Sequence, residues 1–290
     1  MDAMLLTKRA AGLAPFMAIA SLACVAITPA SAGDASAWDE GLQSAVRLVA
    51  ARSGGTGKAL VYRSGVEIKL NPGWKTYWRY PGDSGVPPAF DFSKSENVKS
   101  ATVLFPAPSR FDDGAGGHSI GYKEGVLLPV HVLPKDPAKP AVLRAKLDYA
   151  VCAKLCVPAD ANLELTLPGT DAANDATVAS AEALVPKPAK IGDSAALAIR
   201  AARKEAGEGK PKILVDVAAP AGVAPMLYAE GPDAKWALPL PEPVAGAPAG
   251  QQRFAFELDG LPPGESAKGA TLRLTAVAGD KAIEALFRLD

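Results

Sequence analysis

Cys152 and Cys156 are the residues of this 290-residue chain whose type and spacing most directly permit chemistry. They lie in Leu147-Asp-Tyr-Ala-Val-Cys-Ala-Lys-Leu-Cys-Val-Pro158, and the third cysteine, Cys24, falls in a segment expected to be removed. Two thiols separated by three residues allow a reversible disulfide, a structural staple or half of a metal site. A disulfide needs Cα atoms about 4.4–6.8 Å apart, whereas an extended strand separates residues four apart by roughly 13 Å. The chain must therefore turn over Ala153, Lys154 and Leu155, presenting both sulfurs at the end of a sheet. So small a ring gives modest loop-closure stabilisation, which suits exchange better than stapling. An ammonium at Lys154 near either sulfur would favour the thiolate, the nucleophilic form. The two histidines, His118 and His131, offer the nitrogen ligands for the metal alternative, in which Cu(I) is the best match to Cys152, Cys156 and His118. On spacing alone the staple, the redox pair and the metal site all stay open.

Two stretches stand out as neighbours for such a pair. In Trp74-Lys-Thr-Tyr77-Trp78-Arg-Tyr80, four large aromatics occupy seven residues. Some of them must fill a core, while an aromatic with one wet edge forms a pocket wall, and Trp74, Tyr77 and Trp78 are the expected wall. Residues 109–125, rich in Gly and Asp and containing Phe111, Asp112, Asp113, His118 and Tyr122, read as one long loop. Loops of that length inside compact domains are often functional, and His118 and Tyr122 are its expected contributors to the site.

The elements that must position these residues read as strands. The chain has 27 Gly and 26 Pro dispersed without a period, which argues for short strands and many turns. Period-two apolar alternation predicts a first strand over 45–51, then a stretch over 60–70 with a phase break at Ser64 and Gly65 suggesting a bulge or tight turn. Further strands are expected over 89–92, 98–105, 126–133, 141–151 and 161–167. Residues 169–193 turn to Ala, Asp, Thr and Pro and read as a linker, with a short helix over 174–184 stopped by Pro186 and Pro188. Residues 195–203 satisfy both a helical and a strand pattern. Strands follow over 212–218, 225–229, 253–258, 270–278 and 282–289. The expected architecture is all-β: one sandwich over 33–168 and a second, smaller sandwich over 194–290.

At the start, Lys8 and Arg9 precede an apolar run and Pro29-Ala-Ser-Ala32, the pattern of an export signal cleaved after Ala32. An uncleaved anchor is disfavoured by Gly12, Pro15 and Ser21, and a lipid-attachment site at Cys24 by the poor fit of Ser21-Leu22-Ala23. Outside the reducing cytosol a cysteine pair can sit oxidised and still be cycled by partners. With 31 basic and 31 acidic residues, the chain offers no electrostatic reason to bind nucleic acid.

Three segments carry a family resemblance: Asn71-Pro-Gly-Trp-Lys-Thr-Tyr-Trp-Arg-Tyr-Pro-Gly-Asp-Ser-Gly-Val-Pro-Pro88, Gly121-Tyr-Lys-Glu-Gly-Val-Leu-Leu-Pro-Val130 and Asp148-Tyr-Ala-Val-Cys-Ala-Lys-Leu-Cys-Val-Pro158. Over residues 44–168 the chain resembles the periplasmic N-terminal domain of the DsbD thiol:disulfide interchange family, most of all its ScsB-like variants linked to suppression of copper sensitivity. More loosely, Glu230-Gly-Pro232, Trp236 and Gly279-Asp-Lys-Ala-Ile-Glu284 resemble the second β domain of those variants. The resemblance implies an immunoglobulin-like β-sandwich in the periplasm whose cysteine pair needs no cofactor. That pair takes electrons from a membrane electron carrier and a thioredoxin-like domain and passes them to oxidised periplasmic proteins, as a component of a protein-disulfide reductase. By position Cys156 is then the attacking thiol and Cys152 the resolving one. In that family a cap-loop aromatic shields the disulfide; residues 109–125 occupy its place, with Phe111, His118 and Tyr122 as candidates and Asp112 or Asp113 as the nearby acid. The family's long proteins continue into a polytopic membrane domain and a CxxC domain; this chain runs to Asp290 without either, so separate proteins are expected to supply its electrons.

Overall fold

Alternation of apolar and polar residues, broken by proline and glycine, resolves into nineteen strands and one helix among the described residues. The computed structural model describes Met1 and residues 33–290, apart from 56, 58, 59, 115, 171, 207 and 208. The expected signal, its cleavage site and Cys24 lie outside the described residues. In chain order the first half comprises β1 (Asp39–Glu40), β2 (Ser44–Gly54), β3 (Val61–Leu70), β4 (Lys75–Gly82), β5 (Ala89–Asp91), β6 (Val98–Val103), β7 (Ser109–Asp112), β8 (His118–Lys123), β9 (Gly125–Pro134), β10 (Ala141–Cys152) and β11 (Cys156–Leu167). Helix α1 (Asp175–Ala183) follows, then β12 (Lys187–Pro188), β13 (Ala198–Glu205), β14 (Lys212–Ala218), β15 (Met226–Glu230), β16 (Glu242–Val244), β17 (Gln251–Glu257), β18 (Thr271–Ala278) and β19 (Lys281–Arg288).

The first half is an immunoglobulin-like sandwich. One sheet has the order β1-β2-β3-β9-β6; the other runs β11-β10-β4-β8-β7, with β5 also paired to β10. Val46, Leu48, Val66, Ile68, Leu128 and Val130 of the first sheet meet Leu143, Leu147, Leu163, Leu165, Trp78 and Ile120 of the second in a single core. The strand period explains the pairing, since alternate residues of each strand face inward. Each fully buried Leu or Ile contributes about 1.5–3 kcal/mol. The longest ladder is the β10–β11 hairpin, in unbroken register from Ala141↔Leu167 to Cys152↔Cys156.

The second half packs sheet β12-β19-β18-β15 on sheet β13-β14-β17-β16 around Ile199, Val215, Trp236, Phe254, Leu272 and Leu274. The described residues from 33 to 290 nevertheless form one compact unit. Tyr228, Leu240, Val277 and Ala282 of the second half belong to the first sandwich's core cluster, so the two sandwiches share a packed junction.

Four local readings are corrected or resolved. The phase break at Ser64 and Gly65 is absent: β3 pairs with β9 continuously from Tyr62↔Val132 to Lys69↔Gly125. Ser64 keeps its inward phase by donating to the Val49 carbonyl at 2.7 Å, and a Cβ at Gly65 would lie 3.1 Å from Leu127 Cγ, so Leu127 occupies that space. Residues 109–125 are not a loop but mostly the β7–β8 hairpin, registered from Ser109↔Gly121 to Asp112↔His118, with only 113–117 as its turn. The ambiguous 195–203 stretch becomes β13, because pairing to β14 satisfies its backbone where an isolated helix would bury no face. Within 169–193, α1 packs Val178 against Val49 and Ala51, and Glu182 of α1 pairs with Arg63 at 2.5 Å.

Candidate functional site

The site is the end of the β10–β11 hairpin. Cys152 closes β10, Cys156 opens β11, and the two face each other across a three-residue turn, joined as a disulfide with Cα atoms 4.1 Å apart. The turn expected from the spacing is a hairpin loop, the shortest route by which two cross-strand cysteines become neighbours. Burial distinguishes the two sulfur-bearing residues: Cys152 is 8% exposed, whereas Cys156 is exposed. Leu155, at 77% exposure, and Val157 flank Cys156 on the open side, and Lys154 is also exposed. Beneath the tip, β4 runs alongside, with Lys75 opposite Cys152 and the Thr76 hydroxyl donating to the Ala150 carbonyl at 2.9 Å.

Tyr77, next on β4, closes over the pair. Its Oη lies 2.9 Å from Cys156 Sγ. A disulfide-bonded sulfur carries no proton, so the phenol is the donor. Tyr77 is buried in a small cluster with Ala150 and Cys152. Burial, with the Asp113 charge adding to it, pushes the phenol above its ordinary pKa, so the proton stays on oxygen at neutral pH. Behind the ring passes the loop after β4. Gly85 adopts φ +132°, and a Cβ there would sit 2.3 Å from Tyr77 Cε1, so only glycine permits this approach. The loop is tied to the β7–β8 turn: Asp83 N donates to the His118 carbonyl (2.9 Å), His118 N to Asp83 Oδ2 (2.9 Å), and Ser84 Oγ to Asp113 Oδ2 (3.1 Å).

The other expected site residues disperse. Trp78 is fully buried and faces Tyr228 with ring centroids 5.6 Å apart, because adjacent strand residues point to opposite sheet faces. Trp74, in the turn before β4, packs partly buried on the first core. Tyr122 is buried, donates to the Pro106 carbonyl at 2.8 Å, and has its phenol pushed well upward by burial. His118 Nδ1 lies 3.0 Å from Arg110 Nη2, a contact directed toward Glu242 of the second sandwich rather than the sulfurs. His131 meets Glu182 of α1 at 2.9 Å. Phe111 lies under the Lys75 and Lys123 ammonium groups, 5.7 and 4.8 Å from its centroid, and Lys75 also reaches the Asp112 carbonyl. Among the described residues no three or more His, Cys, Asp or Glu side chains gather as a metal-holding group.

The residues that sequence reasoning missed are Thr76, Gly85 and Arg79. Gly85 stands in Gly82-Asp-Ser-Gly85, a turn signal that marks a bend without saying what it covers. Arg79 has no local signal, because its partners are more than 150 residues away.

Comparison with known proteins accords with this geometry. Residues 58–168 match the family model described as thiol:disulfide interchange protein DsbD, N-terminal. A solved structure, the N-terminal periplasmic domain of ScsB from Proteus mirabilis, superposes with a TM-score of 0.67 at 20% identity, covering 89% of this chain and 98% of that one. No curated protein matches.

Proposed function

We propose, from the premise that residues 58–168 place the first sandwich of this chain in the DsbD N-terminal family, that the protein is a periplasmic thiol-disulfide carrier working through Cys152 and Cys156. In its reduced form the Cys156 thiolate attacks one sulfur of a substrate disulfide, forming a mixed disulfide and releasing one substrate thiolate. Cys152, deprotonated, then attacks Cys156 Sγ, which expels the second substrate thiolate and restores the Cys152–Cys156 bridge. Two electrons pass to the substrate. The thiols of a thioredoxin-like partner, fed by a membrane electron carrier, return them by the reverse exchange. The observation that carries this reading is the asymmetry of the bridge: Cys156 is exposed beside Leu155 and Val157 and touches the Tyr77 hydroxyl, while Cys152 is buried behind it. An exposed sulfur is the one a partner reaches, and a hydrogen-bond donor at that sulfur favours its thiolate.

The test is trapping in the periplasm. Cys152→Ala is expected to accumulate mixed disulfides through Cys156, and Cys156→Ala is not. If neither variant captures a protein, the exchange role fails. Anaerobic Cu(I) titration of the reduced protein examines the copper alternative, for which tight stoichiometric binding lost on replacing both cysteines is the positive result.

A further inference from the structure

We propose that the second sandwich is a positioning element for the disulfide: by gripping Arg79 it sets where β4 holds the Tyr77 hydroxyl against Cys156. Successive residues of β4 divide between two tasks. Lys75, Thr76 and Tyr77 address the hairpin tip, as described above. Trp78, Arg79 and Tyr80 address the second sandwich. Trp78 meets the Tyr228 ring. The Arg79 guanidinium donates to Glu230 on β15 through Nε (2.9 Å) and Nη2 (2.8 Å), and to Glu284 on β19 at 2.5 Å. It also lies 4.3 Å over the Trp78 ring. Tyr80 Oη donates to the Leu238 carbonyl.

The backbone makes this grip consequential. The β4–β8 ladder passes from Tyr77↔Gly121 directly to Gly82↔Ser119. Residues 78–81 of β4 therefore stand opposite the single residue Ile120, and the regular ladder does not determine their course. The contacts that do so come from the other sandwich. An arginine held by two carboxylates, with all three side chains less than a quarter exposed, resists displacement because separating them leaves an unpaired charge in a poorly solvated junction. Tyr77 lies two residues from Arg79, so a shift of this segment moves the phenol relative to Cys156.

The consequence is thermodynamic. A phenol donates weakly to a neutral disulfide sulfur and strongly to a thiolate, so a well-placed Tyr77 favours the reduced form of the pair. In reduction by dithiothreitol, one reagent thiolate attacks Cys156 Sγ and Cys152 leaves as thiolate. The second reagent thiol then displaces Cys156 and closes the cyclic reagent disulfide, moving two electrons to the protein. This proposal rests on the reading of Cys152–Cys156 as a bridge that opens, but not on which partner opens it.

The experiment equilibrates the full chain with dithiothreitol redox buffers at pH 8 and reads the reduced fraction for wild type, Arg79→Met, Tyr77→Phe and the double variant. Arg79→Met is expected to lower the equilibrium constant for reduction about threefold or more, and to add little in the Tyr77→Phe background, as for residues acting through one network. Glu284→Gln, which keeps the Arg79–Glu230 pair, is the second variant should Arg79→Met fail to fold, with a smaller shift in the same direction. Wild-type constants in the folded Arg79 and Glu284 variants, or full additivity with Tyr77→Phe, overturn the positioning role alone. A wild-type bridge that dithiothreitol does not open overturns the exchange reading along with it.

Discussion

At the scale of residues, the two cysteines differ through their surroundings rather than their chemistry. Cys156 faces solvent and the Tyr77 hydroxyl, while Cys152 is packed against Tyr77 and Ala150. A hydrogen bond to a charged acceptor contributes roughly 1.5–3 kcal/mol, and one pKa unit is about 1.4 kcal/mol. Tyr77→Phe is therefore expected to raise the Cys156 thiol pKa by about one unit or more, read from the pH dependence of iodoacetamide alkylation in the Cys152→Ala background. An unchanged profile would mean the phenol does not serve the thiolate. Tyr77 was one of three aromatics expected at the wall, and it does lie against Cys156, but buried rather than with a wet edge. That Trp78 would instead turn into the junction was not legible, because the strand's phase is set by which face finds a core, and part of that core lies in the second half.

At the scale of elements, the β10–β11 hairpin and the segment around β4 together hold the disulfide and the phenol against it. The turn between the cysteines followed from the length of an extended chain. The first strand of the hairpin was legible from its alternation, the second only over 161–167, because Val157, Pro158 and Ala159 beside the cysteine carry no alternation, although β11 pairs from Cys156 onward. The β7–β8 hairpin was not, because Gly114, Gly116 and Gly117 with Asp112 and Asp113 look like open loop until pairing to β4 supplies partners for the backbone. Gly85 belongs to this scale as well. Gly85→Ala would place a Cβ against the Tyr77 ring at a positive φ, and is expected to destabilise the protein by about 1–3 kcal/mol, with loss of the Tyr77–Cys156 contact. Urea unfolding reads the first effect, and the dithiothreitol equilibrium reads the second as a shift toward the oxidised form.

At the scale of the whole molecule, charge pairs hold sheets and sandwiches together. Within the second sandwich, Arg253 reaches Asp216 through Nε–Oδ1 (2.6 Å) and Nη2–Oδ2 (2.8 Å), and Asp216 is 3% exposed. Hydrogen bonding from Arg253 holds this carboxyl below its ordinary pKa despite burial, which opposes the shift. A folded pKa below the unfolded value contributes stability above the unfolded pKa of about 4, and that stability is lost as pH falls through the folded pKa. Thermal melts from pH 7 to pH 3 are expected to show this acid loss. Asp216→Asn should flatten it and lower the melting temperature at neutral pH, because Arg253 loses its charged partner. Melts of the variant that retain the full acid slope would assign that slope to other carboxylates.

The sequence by itself determined the all-β class, the thiol pair and the need for a turn between its members, because these follow from local periodicity and chain geometry. Only the tertiary structure decided which sulfur is open, that Tyr77 lies against it, and that Arg79 is gripped by Glu230 and Glu284. Each of those facts depends on groups brought together from distant parts of the chain, and no local pattern encodes such a meeting.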